Sequence, residues 1–238
     1  MNISVAMAVY NGEKFIKKQL ESILAQLKEN DELIISYNKS DDNTEAIVKE
    51  YSDYDPRIKF YVCEKKGVLS NFENAIRNCH NEIVFLSDQD DIWVNNKVVT
   101  VLEYFEDEKI GGVVHDCTFI DCYDNECKMQ PKFQKNRKLC IPEILIKNPV
   151  QGSCLAFRKK FVDRFLPFPN TIPMHDSWIG MMLIHYSSLL FINKKLLLYR
   201  QHDNSVTKRH HASIKKMLID RSNLLFAYFN RINKFRGV

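Results

Sequence analysis

Three carboxylates crowd into four residues at Asp88-Gln89-Asp90-Asp91, directly after the apolar run EIVFLS over Glu82–Ser87. Like charges at that spacing repel and raise one another's pKa unless a cation neutralises them. Hard oxygen donors of this kind suit Mg2+ or Mn2+, ions that keep some water and bridge to substrate phosphates. The plain alternative is a polar turn whose aspartates cap a helix. A further acid, Asp176, sits in Met174-His175-Asp176-Ser177-Trp178, ahead of an apolar helical stretch through Ile179, Met182 and Leu183. It reads either as a helix N-cap or as a general base beside an aromatic wall. Trp178, like Trp93, reads as core or as a platform for a sugar face. A third stretch, Tyr199-Arg200-Gln201-His202, offers a guanidinium and an imidazole to a pyrophosphate and its metal.

Composition narrows the classes. Only seven glycines occur in 238 residues, and neither GxGxxG nor GxxxxGK[ST] is present. A glycine-rich phosphate cradle is excluded, so phosphates held here would be held through a metal. No apolar run approaches the roughly 18 residues of a spanning helix. The opening MNISVAMAVYNGEKF lacks a basic start followed by an apolar stretch, so no signal peptide is expected. Seven cysteines without tight pairs suggest reduced thiols in a cytosolic protein.

Alternating strand and helix patterns must position these groups. Ile3–Val9 reads as a buried strand, and Asn11 offers a cap to a helix whose Phe15, Ile16, Leu20, Ile23, Leu24 and Leu27 share one face. Glu32–Ser36, Lys59–Val62 and Glu82–Ser87 read as further strands, with helices after Asp41-Asp42-Asn43-Thr44 and opening at Ser70-Asn71. Such spacing implies βαβ units around a parallel sheet with both faces covered. In such sheets ligands bind beyond the carboxyl ends of the strands, which is where Asp88 falls. Later strands are expected at Val113–Phe119, Ser153–Phe157 and Leu189–Ile192.

Charge is unevenly placed. Between Val206 and Val238 eight Lys and Arg face one acid, Asp220, giving +7 on a remainder of −3. The same segment carries an apolar stripe at helical spacing (Ile214, Met217, Leu218, Leu224, Leu225, Tyr228, Phe229, Ile232). The stripe packs on the domain or docks at a membrane surface or a partner helix. Nucleic acid is not expected, because the basic residues share their helix with that stripe.

The segments VAMAVYNGEKFIKKQLESILAQ, SNFENAI, FLSDQDDIW, NPVQGSCLAFRK, HDSW and YRQH occur in that order. Together they resemble the family 2 glycosyltransferases of GT-A fold, and most closely a rhamnosyltransferase-like subgroup. The resemblance covers about residues 3–207 and implies an α/β fold with a Rossmann-like, mostly parallel central sheet flanked by helices. It divides the chain into one domain over 1–205, with a nucleotide-binding half over 1–110 and an acceptor half over 111–205, and a basic amphipathic helical tail over 206–238. It implies inverting transfer of a sugar, rhamnose among the candidates, from a nucleotide-diphosphate donor to a hydroxyl of a glycan or lipid-linked glycan acceptor. Surface or capsular polysaccharide synthesis at the cytoplasmic face of the membrane would be the setting. By the same resemblance Ala8, Tyr10, Glu13 and Asn71 line the nucleotide pocket and Asp88 meets the nucleotide sugar. Asp90, Asp91 and His202 hold Mn2+ or Mg2+, and Asp176 is the catalytic base. Gly152, His175, Trp178 and Arg200 fall in substrate-binding segments.

One stretch departs from the family's pattern. Where S-D-D-G-S-x-D is usual, the chain reads Ser36-Tyr37-Asn38-Lys39-Ser40-Asp41-Asp42. Two aspartates near the nucleobase are thereby replaced. Tyr37 is expected to stack on the base and Asn38 to accept a hydrogen bond from it. Two alternatives stand beside this reading. One is a sugar nucleotidyltransferase, for which a glycine-rich triphosphate loop is missing. The other is a non-catalytic binding relative, favoured if the Tyr37–Lys39 change destroys the pocket.

Overall fold

The computed structural model describes residues 1–127, 134–202 and 213–236. Along the chain run β1 (Ile3–Val9), α1 (Ile16–Leu24), β2 (Glu32–Tyr37), α2 (Thr44–Tyr54), β3 (Ile58–Val62), α3 (Val68–Arg77) and β4 (Ile83–Asp88). Then come β5 (Ile92–Trp93), α4 (Lys97–Tyr104), β6 (Ile110–Ile120), β7 (Glu126–Cys127), β8 (Arg137–Lys138), α5 (Ile141–Lys147) and β9 (Leu155–Arg158). Helices α6 (Val162–Phe165) and α7 (His175–Tyr186), strand β10 (Ser188–Arg200) and helix α8 (Ile214–Arg236) complete it.

One sheet has the order β3-β2-β1-β4-β9-β6-β10-β5, with β7 on β6 and β8 on β10. Strands β3, β2, β1 and β4 are parallel. Burial on both faces explains why β1 reads ISVAMAV without alternation. Strand β9 lies antiparallel between β4 and β6, while β6 and β10 are parallel to each other. The chain leaves β1 towards β2 on one side and returns to β4 on the other. The crevice where strand order reverses therefore opens past Val9 and Asp88, and Ala8 stands in register with Asp88.

Several elements differ from their sequence expectations for definable reasons. Asn11 is not the cap of α1, which begins at Ile16. It adopts a positive φ of 50° and its side-chain oxygen accepts the Asp41 amide. Helix α3 starts at Val68 instead of Ser70, because Gly67 at φ 112° turns the chain into it. Strand β10 is much longer than Leu189–Ile192. Asn193-Lys194-Lys195 reads as a break, but register shifts around Lys195 turn those residues outward and the strand resumes.

Helix α8 divides the apolar stripe of the tail between two faces. Leu224, Tyr228 and Ile232 are buried, with Tyr228 Oη 2.8 Å from His185 Nδ1 on α7. Leu218, Ile219, Phe226 and Phe229 are exposed. The first part of the tail, with Lys208 and Arg209, lies outside the described residues. No helix among the described residues is long and apolar enough to cross a membrane.

Candidate active site

A cleft of about 470 Å³ opens at the strand-order reversal. One wall is the carboxyl edge of β1 and β4, with Ala8, Tyr10, Asp88, Gln89 and Asp90. The facing wall carries Gln151 and Gly152 from a short 3-10 turn, and Met174, His175 and Asp176 at the start of α7. Tyr199 and His202, near and just past the end of β10, and Asn11 contribute the remainder.

The first wall is braced by amides. Gln89 forms a reciprocal pair with the Tyr10 backbone: its Oε1 accepts from Tyr10 N at 2.8 Å, and its Nε2 donates to Tyr10 O at 2.6 Å. A side chain on Gly12 would fall 2.5 Å from that Oε1, so the clamp needs glycine there. The buried Gln19 of α1 donates to Ser87 Oγ at 2.8 Å and to Asp88 O at 2.9 Å. The Asp88 carboxyl is pushed up to about 7 by burial, then by the charges of Asp90 and Asp176. Surplus negative charge on a wall facing solvent is what a divalent cation relieves.

Asp90 and Asp91 are neighbours with opposite surroundings. Asp90 Oδ2 meets His202 Nε2 at 2.8 Å in the cleft. Asp91 is fully buried, and its Oδ1 accepts the Arg200 amide at 2.9 Å. Asp91, expected as a metal ligand, does not line the cleft: its Oδ1 is taken up by β10, and its buried Oδ2 has no hydrogen-bond partner among the described residues. Arg200 is also buried. It donates to Asp90 O at 2.7 Å and Asp121 O at 2.9 Å, pairs with Asp124 at 2.5 Å, and lies over the Phe15 ring at 4.6 Å. It does not touch the cleft; it fixes the loop that presents Asp90. Trp178, expected as a sugar platform, has no exposed surface and donates to Phe165 O at 2.9 Å. Trp93 is likewise core.

The base-recognition expectations are corrected in the same way. Tyr37 is 2% exposed, packs on Phe60 at 5.5 Å and accepts the Ser40 amide at 2.9 Å. A ring so enclosed offers no face to a nucleobase. The Asn38 amide is spent on the loop after β3, donating to Cys63 O at 2.7 Å and accepting from Gly67 N at 3.2 Å. Asn71 is buried behind the pocket. Its Nδ2 donates to Val9 O at 3.0 Å and its Oδ1 accepts from Ser36 Oγ at 2.6 Å, joining β1 to β2. Glu13 accepts from the Asn43 amide and side chain at 3.1 and 2.8 Å, beside a hollow of about 550 Å³ shared with Asn11, Lys14, Asp41 and Asp42.

On the facing wall, Asp176 Oδ1 accepts the Ser177 amide at 2.5 Å and the Asn148 side chain at 3.3 Å. His175 is buried and stacks on Phe72 with centroids 4.0 Å apart. Burial pulls its pKa down to about 3, so the ring is neutral, and neither nitrogen has a hydrogen-bond partner among the described residues. A Cβ on Gly152 would come within 2.7 Å of His175 Nε2. Glycine there lets the turn approach the ring.

Of the residues singled out from sequence, Ala8, Tyr10, Asp88, Asp90, Gly152, His175, Asp176 and His202 share the cleft. Tyr37, Asn38, Asn71, Asp91, Trp178 and Arg200 are buried around it. Gln19 and Gln89, unnoticed in the sequence, do much of the bracing. The only signal of Gln89 is its place inside the acidic run.

Solved structures share this architecture. S. aureus TarS in complex with UDP-GlcNAc superposes with a TM-score of 0.72 at 16% identity, covering 99% of this chain and 73% of that one. A mannosyltransferase from Pyrobaculum calidifontis in complex with GDP-Man and Mn2+ gives 0.64 at 19%, covering 98% and 64%. The fold is thus GT-A, a mixed α/β architecture with a central sheet flanked by helices. Residues 4–166 match glycosyl transferase family 2, and the chain belongs to that family. The Escherichia coli UDP-Glc:alpha-D-GlcNAc-diphosphoundecaprenol beta-1,3-glucosyltransferase WfgD is 26% identical over 220 residues, 90% of this chain and 83% of its own length. The Shigella flexneri dTDP-rhamnosyl transferase RfbG is 27% identical over 222 residues, covering 84% and 72%. A Nostoc glycosyltransferase is 25% identical over 181 residues, 70% of this chain, which spans 54% of its length. The sugar nucleotidyltransferase alternative falls with the family match.

Proposed function

We propose that this chain is an inverting glycosyltransferase that moves a sugar from a nucleoside-diphosphate donor to a hydroxyl of a lipid-linked glycan. The observation that supports this reading is the placement of Asp88, Asp90 and His202 in one cleft with Asp176. A diphosphate fits the first group and a hydroxyl nucleophile fits the second. Asp176, held by Ser177 N and the Asn148 side chain, accepts the acceptor's proton as it attacks the anomeric carbon from the face opposite the departing diphosphate. That geometry inverts the centre.

The residues fit a divalent cation. Among the described residues no three His, Cys, Asp or Glu side chains converge as a ready cage. Mg2+ and Mn2+ nevertheless accept one or two protein groups completed by phosphate and water. Asp90 and His202, 2.8 Å apart, would hold it, with the raised pKa of Asp88 marking the charge it would relieve. When bound, the metal supplies neutralising charge to the leaving diphosphate.

WfgD is named for a lipid-linked acceptor, and RfbG for a dTDP-rhamnosyl donor. The exposed Leu218, Ile219, Phe226 and Phe229 of α8, near Lys215 and Lys234, suit peripheral contact with the cytoplasmic membrane face where such an acceptor lies. The test is release of nucleoside diphosphate from UDP-, dTDP- and GDP-sugars, with Mn2+ and with undecaprenyl-linked glycans as acceptors. Release requiring metal and acceptor is expected from one donor class. No release from any would favour a non-catalytic binding relative.

A further inference from the structure

Behind the acidic wall lies a charged group that the proposed chemistry does not use. Lys97 is 1% exposed at the first position of α4. Its placement is unfavourable twice over. Burial strips an ammonium of water, and the amino end of a helix carries partial positive charge. Burial pulls its pKa down to about 8, against the opposing pull of the Cys154 thiol and the Asp91 and Asp88 carboxyls.

Three contacts account for where the ammonium sits. Nζ donates to Ser153 O at 2.8 Å, in the turn that carries Gly152 into the cleft. It lies 4.1 Å from the centre of the Trp93 ring, two residues beyond Asp91. It also feels the carboxylates of Asp91 and Asp88 from behind. A single buried cation thus ties together the backs of both cleft walls.

We propose that Lys97 is a positioning residue, a built-in counter-cation whose charge holds the Asp88–Asp91 loop and the Gly152–Cys154 turn in their donor-binding arrangement. The inference rests on the reading of the cleft as a donor site. Without Lys97, the Ser153 carbonyl and the Trp93 ring lose the ammonium that links them, and the loop bearing Asp88 and Asp90 relaxes. Donor affinity falls, although Lys97 touches no ligand.

The test is calorimetric titration of wild type, Lys97→Met and Lys97→Arg with UDP, dTDP and GDP in Mn2+, well below each protein's melting temperature. For whichever nucleotide wild type binds, Lys97→Met is expected to bind at least tenfold more weakly. Lys97→Arg, which keeps the charge, should stay within about threefold. A side chain serving only the fold would lower the melting temperature and leave the affinity of the folded protein unchanged. That result for Lys97→Met overturns the inference while leaving the donor site intact. Should Lys97→Met fail to fold, Lys97→Arg decides alone, and a tenfold loss there overturns the inference. If wild type binds none of the three nucleotides, the donor-site reading itself falls and takes this role with it.

Discussion

The two walls of the cleft are built by different means. The Ala8–Asp90 wall is the end of a parallel sheet, where hydrogen-bonded register places Ala8 beside Asp88 and two glutamine amides lock the edge. The Gly152–Asp176 wall is a 3-10 turn against a helix start, placed by packing: His175 lies on Phe72, and Gly152 has no side chain to keep it away. Backbone pairing tolerates changes at side chains that do not brace it. Packing does not, because a buried ring surrounded on all sides has nowhere to move. The acidic wall can therefore present charge on a stiff edge while the opposite wall presents shape.

The largest effect should come from the packed wall. Asp176→Asn is expected to reduce transfer roughly 10²–10⁴-fold while nucleotide affinity stays unchanged, as measured by single-turnover assay and titration. Near-native turnover would remove the general base from that wall. Next comes the bracing of the acidic wall. Arg200→Met frees the Asp90 and Asp121 carbonyls and takes the guanidinium from Asp124, so urea unfolding should show a loss of about 1–3 kcal/mol. A loss under 1 kcal/mol would mean that the Arg200 side chain contributes little to holding the loop.

His175 sets a pH signature for the packed wall. Its folded pKa, about 3, lies below the ordinary 6.5, so the unfolded chain takes up the proton first. The stability it contributes is present above pH 6.5 and is lost as pH falls towards 3, by up to about 1.4 kcal/mol per unit. His175→Gln should flatten that part of the stability curve. A curve of unchanged slope would show that the ring is hydrated. The smallest effect is expected at Tyr37→Phe, which loses one hydrogen bond to Ser40 N, about 1 kcal/mol, with nucleotide affinity unaltered. A tenfold loss of affinity would return that hydroxyl to the donor pocket.

The acidic wall was the legible one. An unbroken apolar strand ending in Asp88-Gln89-Asp90-Asp91 locates a sheet edge and its charge, because strand length and burial are local properties. Which acid faces the cleft was not legible. Asp90 and Asp91 differ by one residue, and the distinction is made by Arg200, over a hundred residues away in the chain. The enclosure of Tyr37 and Asn38 was not legible for a related reason: their partners Phe60, Ser40, Cys63 and Gly67 emerge only once β3 lies beside β2. The packed wall showed Asp176 at a helix start, but its approach to Gly152 depends on long-range packing that no local pattern records. Helix α8 was visible as a stripe, and its division into a buried and an exposed face was not.

The central claim is that the acidic wall binds a nucleoside diphosphate through a metal held by Asp90. Titration of wild type and Asp90→Ala with UDP, dTDP and GDP, in Mn2+ and then in chelator, tests it most directly. The account predicts binding of one nucleotide by wild type, lost in chelator and weakened at least tenfold in Asp90→Ala. Binding that survives both chelation and Asp90→Ala would contradict it.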